Sequence, residues 1–110
     1  MIDLNEYINK SVEVKLGKDL LHVKMPSIES MGKISELEKG IGVDVATDYE
    51  IKQKTAQLLL NDNQEGKEVT FDTVQKIPFN GIIKLTTEVF KLRVELEKDP
   101  NSKSQSPRVN

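Results

Sequence analysis

The residues from Pro78 to Lys98 carry the longest unbroken helical pattern in the chain, and they constrain the fold more than any other segment. At about 100° per residue, one line of apolar side chains runs along this predicted helix, and a second line lies about 140° around the same cylinder. The first stripe consists of Ile82, Leu85, Val89, Leu92 and Leu96, the second stripe of Phe79, Ile83, Phe90 and Val94, and a charged face of Lys84, Glu88, Lys91 and Glu95. An ordinary surface helix needs one apolar stripe, so this helix is suited to being covered from two directions.

Two interpretations of the second stripe follow from this pattern. Either the domain wraps the helix on both sides, or one stripe faces the domain while the other faces a partner or another copy of the chain. Burying four such side chains would contribute roughly 6–12 kcal/mol, which is comparable with the whole stability of a small domain. Left in water, a stripe of this size would favour aggregation. Something should therefore cover it.

Composition limits the classes of protein to which the chain can belong. With 110 residues, 36% apolar residues and no Trp, it should form one domain with a thin core, which favours self-association. The net charge of −2 shows no basic excess of the kind that nucleic-acid binding requires, and the absence of Cys excludes disulfides and thiolate sites. The polar amino terminus and the lack of a long apolar run predict neither a signal peptide nor a membrane span. These features predict a soluble, intracellular type of protein.

The remaining patterns predict a mainly α, small helical domain of three to four helices, with a short N-terminal β-hairpin and a disordered C-terminal tail. Alternating apolar residues around Gly17 indicate the hairpin. Ser27, Asp48 and Thr70 are the expected N-caps of three helices, and Gly40 is expected to end the first of them in the left-handed conformation. Pro78 is expected in the first turn of the last helix. The expected ranges are a single domain over 1–99, a helical turn from Asp3, the hairpin at about 11–25, helices at about 27–39, 48–60, 71–77 and 78–98, and the tail at 100–110.

No constellation of residues in the chain indicates catalysis or metal binding. His22 is the single histidine, it falls on the polar face of a predicted strand, and we expect it to be solvated or bonded in its neutral form. The loop around Gly66 loosely resembles an EF-hand calcium loop through Asn61, Asn63, Glu65 and Asp72, but its first and last positions lack the Asp and the bidentate Glu. We therefore expect that the protein is not an enzyme and that it binds neither a cofactor nor a metal ion.

Three segments together resemble the tail assembly chaperones of long-tailed, non-contractile phages, especially the small lactococcal-type chaperones of the tape measure protein. They are the opening VEVKLGKDLLHVKMPSIESMGKI, the middle segment LLLNDNQEGKEVTFDTVQKIPFNGIIKL, and the charged, proline-containing tail. The resemblance covers nearly the whole chain and lies in layout and size, not in catalytic residues.

The resemblance implies that the chain binds apolar stripes of the tape measure protein, a long helical client, and keeps it soluble until the tail tube polymerises. Such chaperones act in the host cell cytoplasm and are absent from the mature virion. The implied partners are the tape measure protein, further copies of the chain and the tail tube protein, without nucleic acid or membrane.

Two phenylalanines make the second stripe the better candidate for client binding or self-association. The first stripe would then face the core, although the reverse allocation is open at this point. The alternatives to a chaperone are a small self-associating helical adaptor and a minor tail structural or completion protein.

Overall fold

The computed structural model describes residues 1–98, with side chains through Leu92. Within these residues the fold is mainly α with an N-terminal hairpin, as predicted. The elements are α1 (Asn5–Asn9), β1 (Ser11–Leu16), β2 (Asp19–Lys24), α2 (Ile28–Glu38), α3 (Val45–Asn61), α4 (Phe71–Gln75) and α5 (Phe79–Lys98). The predicted tail, 100–110, lies outside the described residues, as do the side chains of Val94, Glu95 and Leu96.

The hairpin forms where the apolar residues alternate. β1 and β2 pair antiparallel from Ser11 opposite Lys24 to Leu16 opposite Asp19, and Gly17 takes the positive φ of 62° that the tight turn requires. Leu21 and Val23 are buried on the face that meets the helices. The hairpin is therefore anchored on the helical core, which a lone two-stranded sheet needs for stability.

Helix α2 begins as predicted but ends differently. The hydroxyl of Ser27 accepts a hydrogen bond from the Ser30 amide at 3.1 Å, which confirms the N-cap. The expected left-handed conformation at Gly40 is wrong, because Gly42 takes the positive φ instead. Gly40 continues in a tight turn, with its amide bonded to the carbonyl of Leu37, and a Cβ there would lie 3.1 Å from Ile51. Close packing of α3 therefore accounts for this glycine.

Helix α3 begins earlier than predicted, because Asp44 and not Asp48 is its N-cap. The Asp44 carboxylate accepts a hydrogen bond from the Thr47 amide at 2.7 Å, and this bond lowers the pKa of Asp44. Asp48 lies in the first turn, where it accepts from the Gly42 amide at 2.9 Å. The second aspartate thus fixes the preceding loop while the first caps the helix.

Two of the other predicted helix starts also differ in detail. Asp3 does not occupy the N-cap of α1, which falls on Leu4, although its carboxylate accepts from the Asn5 amide at 3.0 Å. Thr70 caps α4 as expected, with its hydroxyl 3.3 Å from the Thr73 amide. Pro78 precedes α5 instead of lying in its first turn, and its carbonyl accepts from the amide of Gly81 at 2.9 Å.

The core lies where α5 crosses α3 and the hairpin. Its members come from the hairpin, α2, α3, α4, α5 and the loop before α4. They are Leu21, Val23, Ile34, Ala56, Leu59, Leu60, Val69, Val74, Ile82, Leu85 and Val89. This arrangement fixes which side of α5 meets the domain.

Candidate partner-binding surface on helix α5

The two stripes of α5 have opposite environments. Ile82, Leu85, Val89 and Leu92 of the first stripe are all buried, between 0% and 9% exposed. Phe79, Ile83 and Phe90 of the second stripe remain 41%, 40% and 36% exposed. Val94 and Leu96, the last member of each stripe, have side chains outside the described residues.

This distribution bears on the first of the two interpretations of the sequence. At the described positions the domain buries the first stripe and covers the second stripe only in part, so α5 is not fully wrapped on both sides there. That a partner covers the second stripe stays a prediction. The reverse allocation, with the first stripe meeting a client, would require Ile82, Leu85, Val89 and Leu92 to leave the core.

The second stripe continues onto neighbouring elements. Tyr49 of α3 packs edge-to-face on Phe79, with ring centroids 4.9 Å apart, and is itself 49% exposed. Ile41, in the loop after α2, lines a cleft of about 80 Å³ together with Ile83 and Phe90. We call these five residues the α5 surface: Ile41 from the loop between α2 and α3, Tyr49 from α3, and Phe79, Ile83 and Phe90 from α5.

Gly81 helps to set the position of the first turn of α5. A Cβ at Gly81 would lie 2.9 Å from the Cγ2 atom of Ile77, closer than real Cβ contacts. The absence of a side chain therefore lets the segment before Pro78 lie against the helix. In the same turn, Phe79 packs against Tyr49 of α3.

Charged residues border the α5 surface. Glu38 and Lys52 line the same cleft as Phe90. On the charged face of α5, Glu88 lies 3.4 Å from the ammonium groups of both Lys84 and Lys91, and its pKa is lowered first by the hydrogen bond with Lys84. These exposed pairs contribute little stability, but they give the apolar surface a rim of both signs.

A second apolar concavity lies between α2, α3 and α4. It has a volume of about 610 Å³ and is lined by Lys33, Glu36, Leu37, Lys54, Gln57, Leu58 and Phe71. The side chains of Leu37, Leu58 and Phe71 are already half-buried in the monomer. The apolar side chains of the α5 surface are individually more exposed, between 36% and 49%.

His22 contacts two carboxylates, which favour its charged form over the neutral form expected from the sequence. Its ring contacts the carboxylate of Glu65 through Nδ1 and that of Glu13 through Nε2, and its main-chain amide donates to Glu65 Oε1 at 2.8 Å. The hydrogen bond to Glu65 raises the pKa of His22. The amide of His22 in turn lowers the pKa of Glu65. The pair ties the loop after α3 to the hairpin.

We expect this pair to make stability depend on pH. Because the pKa of His22 is raised above its ordinary 6.5, its contribution is complete below that value and is lost as the pH rises through the folded-state pKa. Because the pKa of Glu65 is lowered from 4.5, its contribution is present above that value and is lost as the pH falls through its folded-state pKa. The difference in melting temperature between wild type and His22→Gln should be largest between pH 4.5 and 6.5 and smaller at pH 8. A difference that grows toward pH 8 would contradict this pairing.

The asparagines of the EF-hand-like loop bond to the main chain. Asn63 is buried, its amide nitrogen donates to the carbonyls of Leu60 and Lys67, and its oxygen accepts from the Lys67 amide. Asn61 similarly binds the amide and carbonyl of Val69. Among the described residues, no group of three or more His, Cys, Asp or Glu side chains is arranged to hold a metal ion.

The described part of the chain contains no helix with the length and apolar character needed to cross a bilayer. Comparison of the chain with protein-family models, with curated proteins and with solved structures gives no match.

Proposed function

We propose that this protein is a phage tail assembly chaperone that binds apolar stripes of the tape measure protein. It would keep this long helical client soluble in the host cytoplasm until the tail tube polymerises, and would then be released. The observation that carries the proposal is the exposure of Phe79, Ile83 and Phe90 on a helix whose other apolar stripe is buried. The resemblance in the layout of the chain supports the same function.

The α5 surface has the shape and chemistry to accept an amphipathic helix. Phe79 and Phe90 lie at its two ends and are suited to act as anchors, since aromatic side chains bury much apolar area. The cleft of about 80 Å³ beside Ile83 and Phe90 has room for a single apolar side chain of the client. An apolar stripe of a helix would lie along this row in the manner of helix-in-groove recognition.

Release of the client favours modest affinity at each site. The α5 surface is small and partly exposed, so one protomer should bind one segment of the client weakly. Several protomers acting along one client would together hold it more tightly than any single contact does. For this reason we include self-association in the proposed function, and we expect the protein to be absent from the mature virion.

Co-expression with the tape measure protein tests the proposal. Wild-type protein should keep the client in the soluble fraction and co-purify with it, and Phe90→Asp should abolish both, because a charge at the anchor would have to be desolvated. Ile28→Asp is the matched control, since it introduces the same charge at an α2 residue that is 93% exposed. It should behave as wild type.

The outcomes separate the proposed function from its alternatives. A self-associating adaptor would leave the solubility of the tape measure protein unchanged. A tail structural or completion protein would be found by mass spectrometry in purified virions. Equal losses in the Phe90→Asp and Ile28→Asp variants would show that the α5 surface is not the binding site.

A further inference from the structure

The hairpin has one occupied edge and one open edge within the described residues. On the outer side of β2, the Gln64 amide donates to the carbonyl of His22 at 2.9 Å, and the Lys24 amide donates to the carbonyl of Asp62 at 2.8 Å. On the outer side of β1, no further strand is paired among residues 1–98. The sheet can therefore grow at β1.

Strand alternation shows which groups of β1 face outward. In an antiparallel pair, opposite residues turn their main-chain groups either toward each other or away from each other. His22 and Lys24 turn theirs away from β1, so their cross-strand partners Glu13 and Ser11 turn theirs away from β2. Lys15 follows by the same alternation. These three residues present free main-chain donors and acceptors at the open edge.

We propose that β1 of a second copy of this chain pairs antiparallel with this edge about Val14, giving a four-stranded sheet across a dimer. This register places Glu13 of each copy opposite Lys15 of the other. Both residues have outward main-chain groups, so each pair exchanges two hydrogen bonds. The sheet order would be β2-β1-β1-β2.

Charge complementarity selects this register. Moving the axis by one residue toward the amino terminus would set Glu13 opposite itself, and moving it by one residue toward the carboxyl terminus would set Lys15 opposite itself. Like charges directly opposite each other are destabilising, whereas opposite charges are favourable. The Glu13 side chain contacts His22 Nε2 at 3.4 Å but is 71% exposed, so it stays accessible to a second copy.

The apolar face of β1 supports the same pairing. Val12, Val14 and Leu16 pack against the core but are only half-buried. In the proposed register the two Val14 residues meet at the axis, and Val12 of one copy lies opposite Leu16 of the other. Each copy would complete the burial of these side chains. The charges at the edge would disfavour pairing with strands that lack the complementary order.

Such a dimer would provide one of the contacts between protomers that multivalent client binding needs. The dimer follows from the geometry of the hairpin and does not require the proposed function.

Sedimentation velocity over a range of protein concentrations tests the dimer. Wild type should associate, and Glu13→Lys and Lys15→Glu should each raise the dissociation constant about tenfold, because each creates two like-charge pairs. The doubly substituted chain should regain wild-type affinity.

An equimolar mixture of Glu13→Lys and Lys15→Glu supplies the sharpest control. The two variants complement each other in the proposed register, so the mixture should associate more tightly than either variant alone. Unchanged far-UV circular dichroism would verify that each variant is folded.

Three results would overturn the proposal. They are a wild-type chain that stays monomeric, single charge reversals that leave the association unchanged, and a double variant that associates as weakly as the single variants. Dissociation by Phe90→Asp with no effect of the charge reversals would overturn it too, and would assign self-association to the α5 surface. Failure here would leave the co-expression test of the tape measure protein unaffected.

Discussion

Val89→Asp should unfold the protein, whereas Phe90→Asp, one residue further along α5, should leave it folded. Val89 is fully buried in the core, and Phe90 is 36% exposed. A carboxylate without a partner at the first position costs several kcal/mol, a large part of the about 5–15 kcal/mol by which small proteins are stable. Circular dichroism and urea denaturation of the two variants measure the contrast.

Val89→Ala separates the effect of charge from that of lost packing. It should destabilise the folded state by about 2 kcal/mol through the cavity alone and remain folded. If Val89→Asp were as stable as wild type, the first stripe would not lie in the core. A Phe90→Asp variant that unfolds would place the second stripe in the core and exclude it as a binding surface.

Asn63→Ala should lower the free energy of unfolding by about 3 kcal/mol, because it removes the side-chain partner of the buried Leu60 carbonyl and of two part-buried main-chain groups of Lys67. The side chain is 5% exposed and makes three bonds of 2.8–2.9 Å, to the carbonyl of Leu60 and to both main-chain groups of Lys67. The loop that it shapes also carries Glu65 to His22, so local order should be lost there as well.

Asn61→Ala is the matched control for this prediction. Asn61 is exposed and its bond to the Gln57 carbonyl is exposed, whereas its two bonds to Val69 are part-buried, so water can replace more of its bonding than it can at Asn63. We expect a loss of about 1 kcal/mol in urea denaturation. Equal losses for the two variants would show that burial of Asn63 does not decide the stability of the loop.

Local pattern was enough to predict most of the elements. Period-two and period-3.6 spacings identify the hairpin and α5, and Ser27 and Thr70 are caps that their own neighbours satisfy. The start of α3 could not be predicted this way, because Asp44 and Asp48 are equally good caps. Their roles are decided by the hydrogen bond that the Gly42 amide donates to the Asp48 carboxylate, which depends on the path of the loop.

The candidate site was predictable where it lies on one helix and not where it spans several. Periodicity finds Phe79, Ile83 and Phe90, but it gives no sign that Tyr49 and Ile41 lie beside them, since that depends on how α3 crosses α5. The ion pair of His22 with Glu65 joins residues 43 positions apart and was missed for the same reason. The groove between α2, α3 and α4 also exists only in the packed fold.

The central claim is that α5 has one face for its own core and one face for a client. Amide NMR spectra of the labelled protein, titrated with an amphipathic helical peptide from the tape measure protein, test it most directly. We expect chemical-shift changes at the α5 surface, centred on Ile83 and Phe90, with little change at Leu58 and Phe71, which line the groove between α2, α3 and α4. Changes confined to the groove between α2, α3 and α4, or no change at saturating peptide, would contradict the claim.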